Sequence, residues 1–132
     1  MKKTMKVMAI LLCAITMATV LGSCSKEDSY KTRIVGKWEL TSVYGVNDDG
    51  SHYEHNYTNR EMVFTFSSNG EMSIENADGT TYCTYFITDN MLTITNLFPL
   101  TMEIQELTND RLVLHINTSA LGNETDEFRK IE

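Results

Sequence analysis

Between Met62 and Ile94 the chain reads MVFTFSSNGEMSIENADGTTYCTYFITDNMLTI, four short runs in which apolar side chains alternate with Thr, Ser and Glu, parted by Asn, Asp and Gly. A strand sends every second side chain to the same side, so this alternation predicts one buried and one wet face. The three partings test that reading, because loop length decides which side chains stand opposite one another. Ser68-Asn69-Gly70, read as a three-residue loop with Gly70 in the left-handed bulge position, pairs Phe66 with Met72 and Phe64 with Ile74. A two-residue loop there sets Phe66 against Ser73. Asp78-Gly79 as a two-residue turn pairs Ile74 with Cys83 and Met72 with Tyr85; Asp89-Asn90 pairs Ile87 with Leu92 and Tyr85 with Ile94. One face then gathers Met62, Phe64, Phe66, Met72, Ile74, Cys83, Tyr85, Ile87, Leu92 and Ile94. Thr, Ser and Glu dominate the other, with Phe86 and Met91 as exceptions.

Outward from this stretch the pattern continues. Strands are predicted at about 34–46, 61–67, 71–77, 80–88, 91–96, 99–107, 111–118 and 124–131. Pro99, the sole proline, falls at a strand start, where a missing N–H is tolerated. At Asn109-Asp110 a two-residue turn pairs Leu107 with Leu112 but turns Ile104 outward, unless a bulge near Gln105-Glu106 brings both inside. No stretch of the domain has a long helical period. An open meander would leave two bare edges and a half-covered apolar side, so closure is the economical solution. The expectation is an all-β fold: a single antiparallel up-and-down meander of about eight strands closing into a small barrel over residues 33–132.

Upstream the character changes. Lys2, Lys3 and Lys6 precede an uncharged run from Val7 to Val20, followed by Leu21-Gly22-Ser23-Cys24. That is the layout of a signal peptide. A helix of the apolar run would span only about 21 to 23 Å, short of a hydrocarbon core of roughly 30 Å. The four closing residues resemble the bacterial lipobox, which implies cleavage before Cys24, acylation of its thiol, and anchoring by two or three acyl chains. Ser25-Lys26-Glu27-Asp28 is similar to the export signal of Bacteroidota surface lipoproteins, although a plain polar tether would have the same composition. The expected division is a signal peptide over 1–23, lipidated Cys24 with a polar tether over 24–32, and the barrel over 33–132. The expected location is the outer membrane, held by lipid, on either its periplasmic or its surface side.

Loss of the signal's three lysines takes the formal charge from −7 to −10, and such a surface repels phosphate backbones, so nucleic acid is not an expected partner. Cys13 leaves with the signal and Cys24 is acylated, which leaves Cys83 without an intramolecular disulfide partner. The mature length suits one core.

The domain opens Ile34-Val35-Gly36-Lys37-Trp38-Glu39-Leu40, and Gly36-x-Trp38 at the head of the first strand resembles the lipocalin signature. With the meander, the chain looks like the lipocalin-like domains of small Bacteroidota lipoproteins. The resemblance implies that Trp38 plugs a closed barrel end with a basic residue of the last strand packed across it, a role that falls to Arg129 or Lys130, with Arg129 taken as the candidate. The chain is shorter than most secreted lipocalins and has no evident C-terminal helix. Independently of any family, burying the only tryptophan beside Gly36 would anchor a barrel end.

Few residues point to chemistry. His52, His55, Asp48, Asp49 and Glu54 share the connection 47–60, but His-x-x-His without a helix to align the rings is poor metal-ligand spacing, so no metal or other cofactor is expected. Tyr44, Tyr53 and Tyr57 flank the same connection and are candidates for the barrel mouth. There is no nucleophile elbow, phosphate-cradling loop or dinucleotide fingerprint. His115 lacks an evident acid–base partner and Cys83 falls on the inner face, so the chain is not expected to be an enzyme. Asn56, Asn117 and Asn123 head glycosylation-like tripeptides that read here as turn and strand chemistry. Two functions stay open. One is a barrel holding a small apolar or amphipathic ligand. The other is a filled barrel serving as a structural or inhibitor-like module that docks an envelope protein; an eight-stranded barrel is just wide enough for either.

Overall fold

Nine antiparallel strands form one closed sheet in the computed structural model, which describes residues 27–96, 99–118 and 122–132. They are β1 (Gly36–Val46), β2 (His52–Asn56), β3 (Val63–Phe66), β4 (Glu71–Asn76), β5 (Gly79–Thr88), β6 (Met91–Thr95), β7 (Leu100–Leu107), β8 (Arg111–Thr118) and β9 (Gly122–Lys130). β2 pairs with Ser42–Val46 of β1, and β3 with Gly36–Glu39, so the two follow one another along one edge of β1. They act as a single interrupted stave, and β9 pairs with the other edge of β1 to close an eight-stave barrel. The signal segment, the lipobox and Cys24 lie outside the described residues.

The inner face holds a continuous core that includes Trp38, Leu40, Phe64, Phe66, Met72, Cys83, Ile87, Leu92, Ile94, Leu112, Leu114 and Phe128, all buried, with Ile74 and Tyr85 partly buried against it. Aromatic rings interlock within it: Phe66 meets Tyr85 edge-on at 5.0 Å between centroids, and Phe64 meets Phe128 at 4.8 Å.

Most hairpin registers match the loop-length reading. Phe66 faces Met72, Phe64 faces Ile74, Ile87 faces Leu92, and Gly70 has a φ of 89°. The β7–β8 pairing shifts between Ile104 and Glu106, and this bulge buries Ile104 and Leu107 together. The β4–β5 hairpin differs. Ile74 faces Thr81 and Met72 faces Cys83, because the turn is Ala77-Asp78 and Gly79 already stands in the ladder opposite Asn76. The Asn76 side chain explains the choice, accepting the Asp78 N–H at 3.0 Å to make a turn from its own carboxamide. A two-residue shift keeps every side chain on its face.

Two further elements depart from the sequence reading. Residues 27–32, expected as tether, form with Arg33 a short helix, α1, with a Lys31–Glu27 pair at 3.6 Å and Tyr30 packed against the core. Ile34 closes that helix by donating its N–H to Tyr30, so β1 begins at Gly36, two residues later than expected. The connection 47–60, expected as loop, contains β2. Its sequence, His-Tyr-Glu-His-Asn, has no apolar alternation, and the backbone ladder to β1 makes it a strand.

Candidate functional site

The barrel has two unlike ends. At one, the turns 67–70, 89–90 and 108–110 gather with α1 and the C-terminal residues, and Trp38 closes the interior with no exposed surface. Its indole N–H donates to the Ile34 carbonyl at 2.8 Å. Lys130 stands opposite Trp38 across the β1–β9 ladder and holds its ammonium 5.4 Å from the ring centroid, a cation–π contact. Gly36 is demanded here: its φ is +134°, and a Cβ would come within 2.5 Å of the Glu132 carbonyl oxygen.

Arg129 does not pack across Trp38. It stands opposite Glu39 on the outer face, where its guanidinium bonds the Glu39 carboxylate, which also takes Arg60 at 3.6 Å. The parity of β9 carries the reason. Phe128 points inward, so Lys130 does too and Arg129 cannot.

The same parity sends Asp126 and Glu124 into the barrel toward its other end, the mouth. They face Leu114 and Ile116 on β8, and Val43 and Gly45 on β1. Tyr53 of β2 stands opposite Gly45 and donates its hydroxyl to Glu124 Oε1 at 2.9 Å. It passes over Gly45 because no side chain is there: a Cβ would meet the Tyr53 Oη at 2.7 Å. Burial, followed by the hydrogen bond and charge of Glu124, pushes Asp126 up to about 8, and its Oδ1 is buried with no hydrogen-bond partner. Burial and the Glu124 carboxylate also push the Tyr53 hydroxyl up. Around this polar pair Val43, Tyr57, Met62, Ile74 and Leu100 lie partly buried against the core. The mouth thus joins half-exposed apolar walls to an acidic spot.

Of the three tyrosines read as mouth candidates, Tyr53 and Tyr57 face inward. Tyr44 lies on the outer face, its hydroxyl 3.5 Å from Glu127 Oε1. The carboxyl pair was missed by sequence reasoning, although its signal was present: Glu124, Asp126 and Phe128 share one strand face, and a buried Phe128 brings the acids with it.

Other candidate groups sit elsewhere. His115 contacts Thr125 at 3.1 Å on the outside, and burial pushes the Cys83 thiol up, away from the reactive thiolate. His55 lies 6.4 Å from the Tyr57 ring between centroids, and among the described residues no three His, Cys, Asp or Glu side chains gather as metal ligands. Two open grooves lie at the wall, one of about 410 Å³ beside Lys37, Arg60 and the buried Val63, and one of about 470 Å³ beside Tyr44, His52 and the mouth residues Gly45 and Tyr53.

Comparison with known proteins agrees with this architecture. The family model for the lipocalin-like domain matches residues 34–114. A crystal structure of a lipocalin-like protein from Bacteroides uniformis is similar in fold, with a TM-score of 0.54 at 17% identity, covering 75% of this chain and 99% of that one. No curated protein sequence matches the chain.

Proposed function

Since the chain belongs to the lipocalin-like domain family, we propose that it is a lipid-anchored envelope protein whose barrel mouth binds a small amphipathic molecule. The observation that carries the binding half is the mixed lining of the mouth. Partly exposed Met62, Ile74 and Leu100 offer apolar contact, while Glu124, Asp126 and Tyr53 offer hydrogen bonds and negative charge. Such a lining, apolar with a few convergent polar groups, suits a ligand with an apolar body and a polar head. The deeper interior, occupied by Trp38, Phe66, Phe128 and their neighbours, leaves the mouth as the place for it.

The anchoring half rests on Leu21-Gly22-Ser23-Cys24 behind a charged and then apolar leader. It also explains why a domain with a negative surface would remain at a membrane. Acylation of Cys24 places the chain at the bacterial outer membrane, and Ser25-Lys26-Glu27-Asp28 favours its surface side. Nothing in this reading calls for catalysis or a cofactor.

Native mass spectrometry of the protein purified from its own host tests the binding. A reproducible small-molecule adduct, weakened by Ile74→Asp, is the expected result, and a clean unliganded mass would overturn it. Fatty-acid labelling tests the anchor, with label expected in the wild type and lost in Cys24→Ser.

A second reading has its own observation. Tyr82 and Phe86 point outward from β5 with 79% and 52% of their surface exposed, an aromatic display that suits contact with another envelope protein. A clean unliganded mass together with a co-purified protein, lost in Tyr82→Ser, would favour this interaction module.

A further inference from the structure

Glu124 and Asp126 are two residues apart on the inner face of β9, and every side chain facing them from β8 and β1 is apolar or absent: Leu114 and Ile116 on one side, Val43 and Gly45 on the other. From β2, Tyr53 reaches Glu124 with its hydroxyl, and His55, opposite Val43 on the same strand face, is exposed to solvent. Among the described residues the charge acting on Asp126 comes from Glu124, and no cation offsets it. Two ionised carboxylates in that setting would repel one another across an apolar wall. Asp126 has one oxygen, Oδ1, sealed from water without a partner, while its carboxyl lies within hydrogen-bonding reach of Glu124.

We propose that Asp126 and Glu124 share a single proton and, with Tyr53, form a pH-sensitive clamp on the barrel mouth. In the clamped form the Glu124 carboxylate accepts two hydrogen bonds, one from the Tyr53 hydroxyl and one from the Asp126 carboxylic acid. Their geometry ties three strands together, since Tyr53 belongs to β2, crosses β1 at Gly45, and ends on β9. The tie matters because β2 has β1 as its one ladder partner among the described residues. When the proton leaves for solvent, one of the two bonds is lost and a second negative charge appears beside the first. Glu124 is then driven away from Asp126, and β2 loosens at the mouth.

The folded barrel holds Asp126 protonated up to about 8, against a starting value of 3.8. Between those values the folded state binds a proton that the unfolded chain releases, so stability is greatest on the acid side of the window and falls as pH rises through it. One proton corresponds to about a tenfold rise in the unfolding constant per pH unit within that window.

Carbon-13 NMR of the carboxyl groups, recorded on the full chain in detergent micelles from pH 4 to pH 10, tests the clamp without any ligand. The expected Asp126 midpoint is near 8, with the Tyr53 and Glu54 amides shifting at the same midpoint while the Trp38 indole, at the far end, stays put. Asp126→Asn is expected to remove the step near 8 from those amides, and with it the fall in stability between pH 5 and pH 7. A midpoint near 4, or β2 amides that ignore the titration, would overturn the proposal. If Asp126→Asn fails to fold, the wild-type titration decides alone.

Discussion

At the closed end of the barrel Lys130 lays its charge over the face of Trp38, whereas at the mouth two carboxyls point inward between apolar strands. Both arrangements arise from one strand, β9, and one parity. The difference lies in what surrounds each polar group. The Lys130 ammonium has an aromatic face and open solvent to share its charge, so it costs little. Asp126 has a buried oxygen without a partner and an acidic neighbour, so it stays ionised only at a price in stability. One end is built to hold the fold, and the other carries the groups able to respond to a ligand or a proton.

The contrast can be broken most sharply at Trp38. Trp38→Ala removes a fully buried ring and its hydrogen bond to Ile34, and a loss of roughly 3 to 5 kcal/mol is expected in urea denaturation. An unchanged midpoint would mean that the closed end is not where stability resides. Gly36→Ala comes next, with an expected loss of roughly 1 to 3 kcal/mol from the positive φ alone, increased by the clash with the Glu132 carbonyl. Lys130→Met keeps the apolar stem and removes the charge above the indole; about 0.5 to 1 kcal/mol should go, and the Trp38 emission maximum should shift. The same substitution at Arg129, Arg129→Met, should leave that emission where it is, because its guanidinium serves Glu39 outside the barrel. Smallest of all, Tyr82→Ser on the outer face should change stability by no more than about 0.5 kcal/mol, which separates any effect on partner capture from an effect on folding.

The inner face was legible wherever apolar alternation and turn chemistry coincided. Phe64, Phe66, Ile87 and Leu92 pair as their loop lengths require, and the bulge between Ile104 and Glu106 follows from the need to bury both Ile104 and Leu107. At the β4–β5 hairpin the Asp78-Gly79 turn expected from the sequence gives way to Ala77-Asp78, which the Asn76 side-chain hydrogen bond selects. β2 was illegible for a different reason. Its residues carry no apolar period, and it becomes a strand through backbone bonds to β1, a partner whose position follows from barrel closure. The carboxyl pair lay in plain view but was not singled out, because acidic residues are seldom found inside.

Local chemistry by itself determined which segments extend, which turn, and which side of most strands is greasy, since those choices rest on steric preferences and a period of two within a few residues. Which side chain covers Trp38, which tyrosines reach the interior, and that Asp126 meets Glu124 and Tyr53 there were decided by the tertiary structure. Each depends on how β1 and β9, joined at opposite ends of the chain, come into register, and only closure of the barrel sets that alignment.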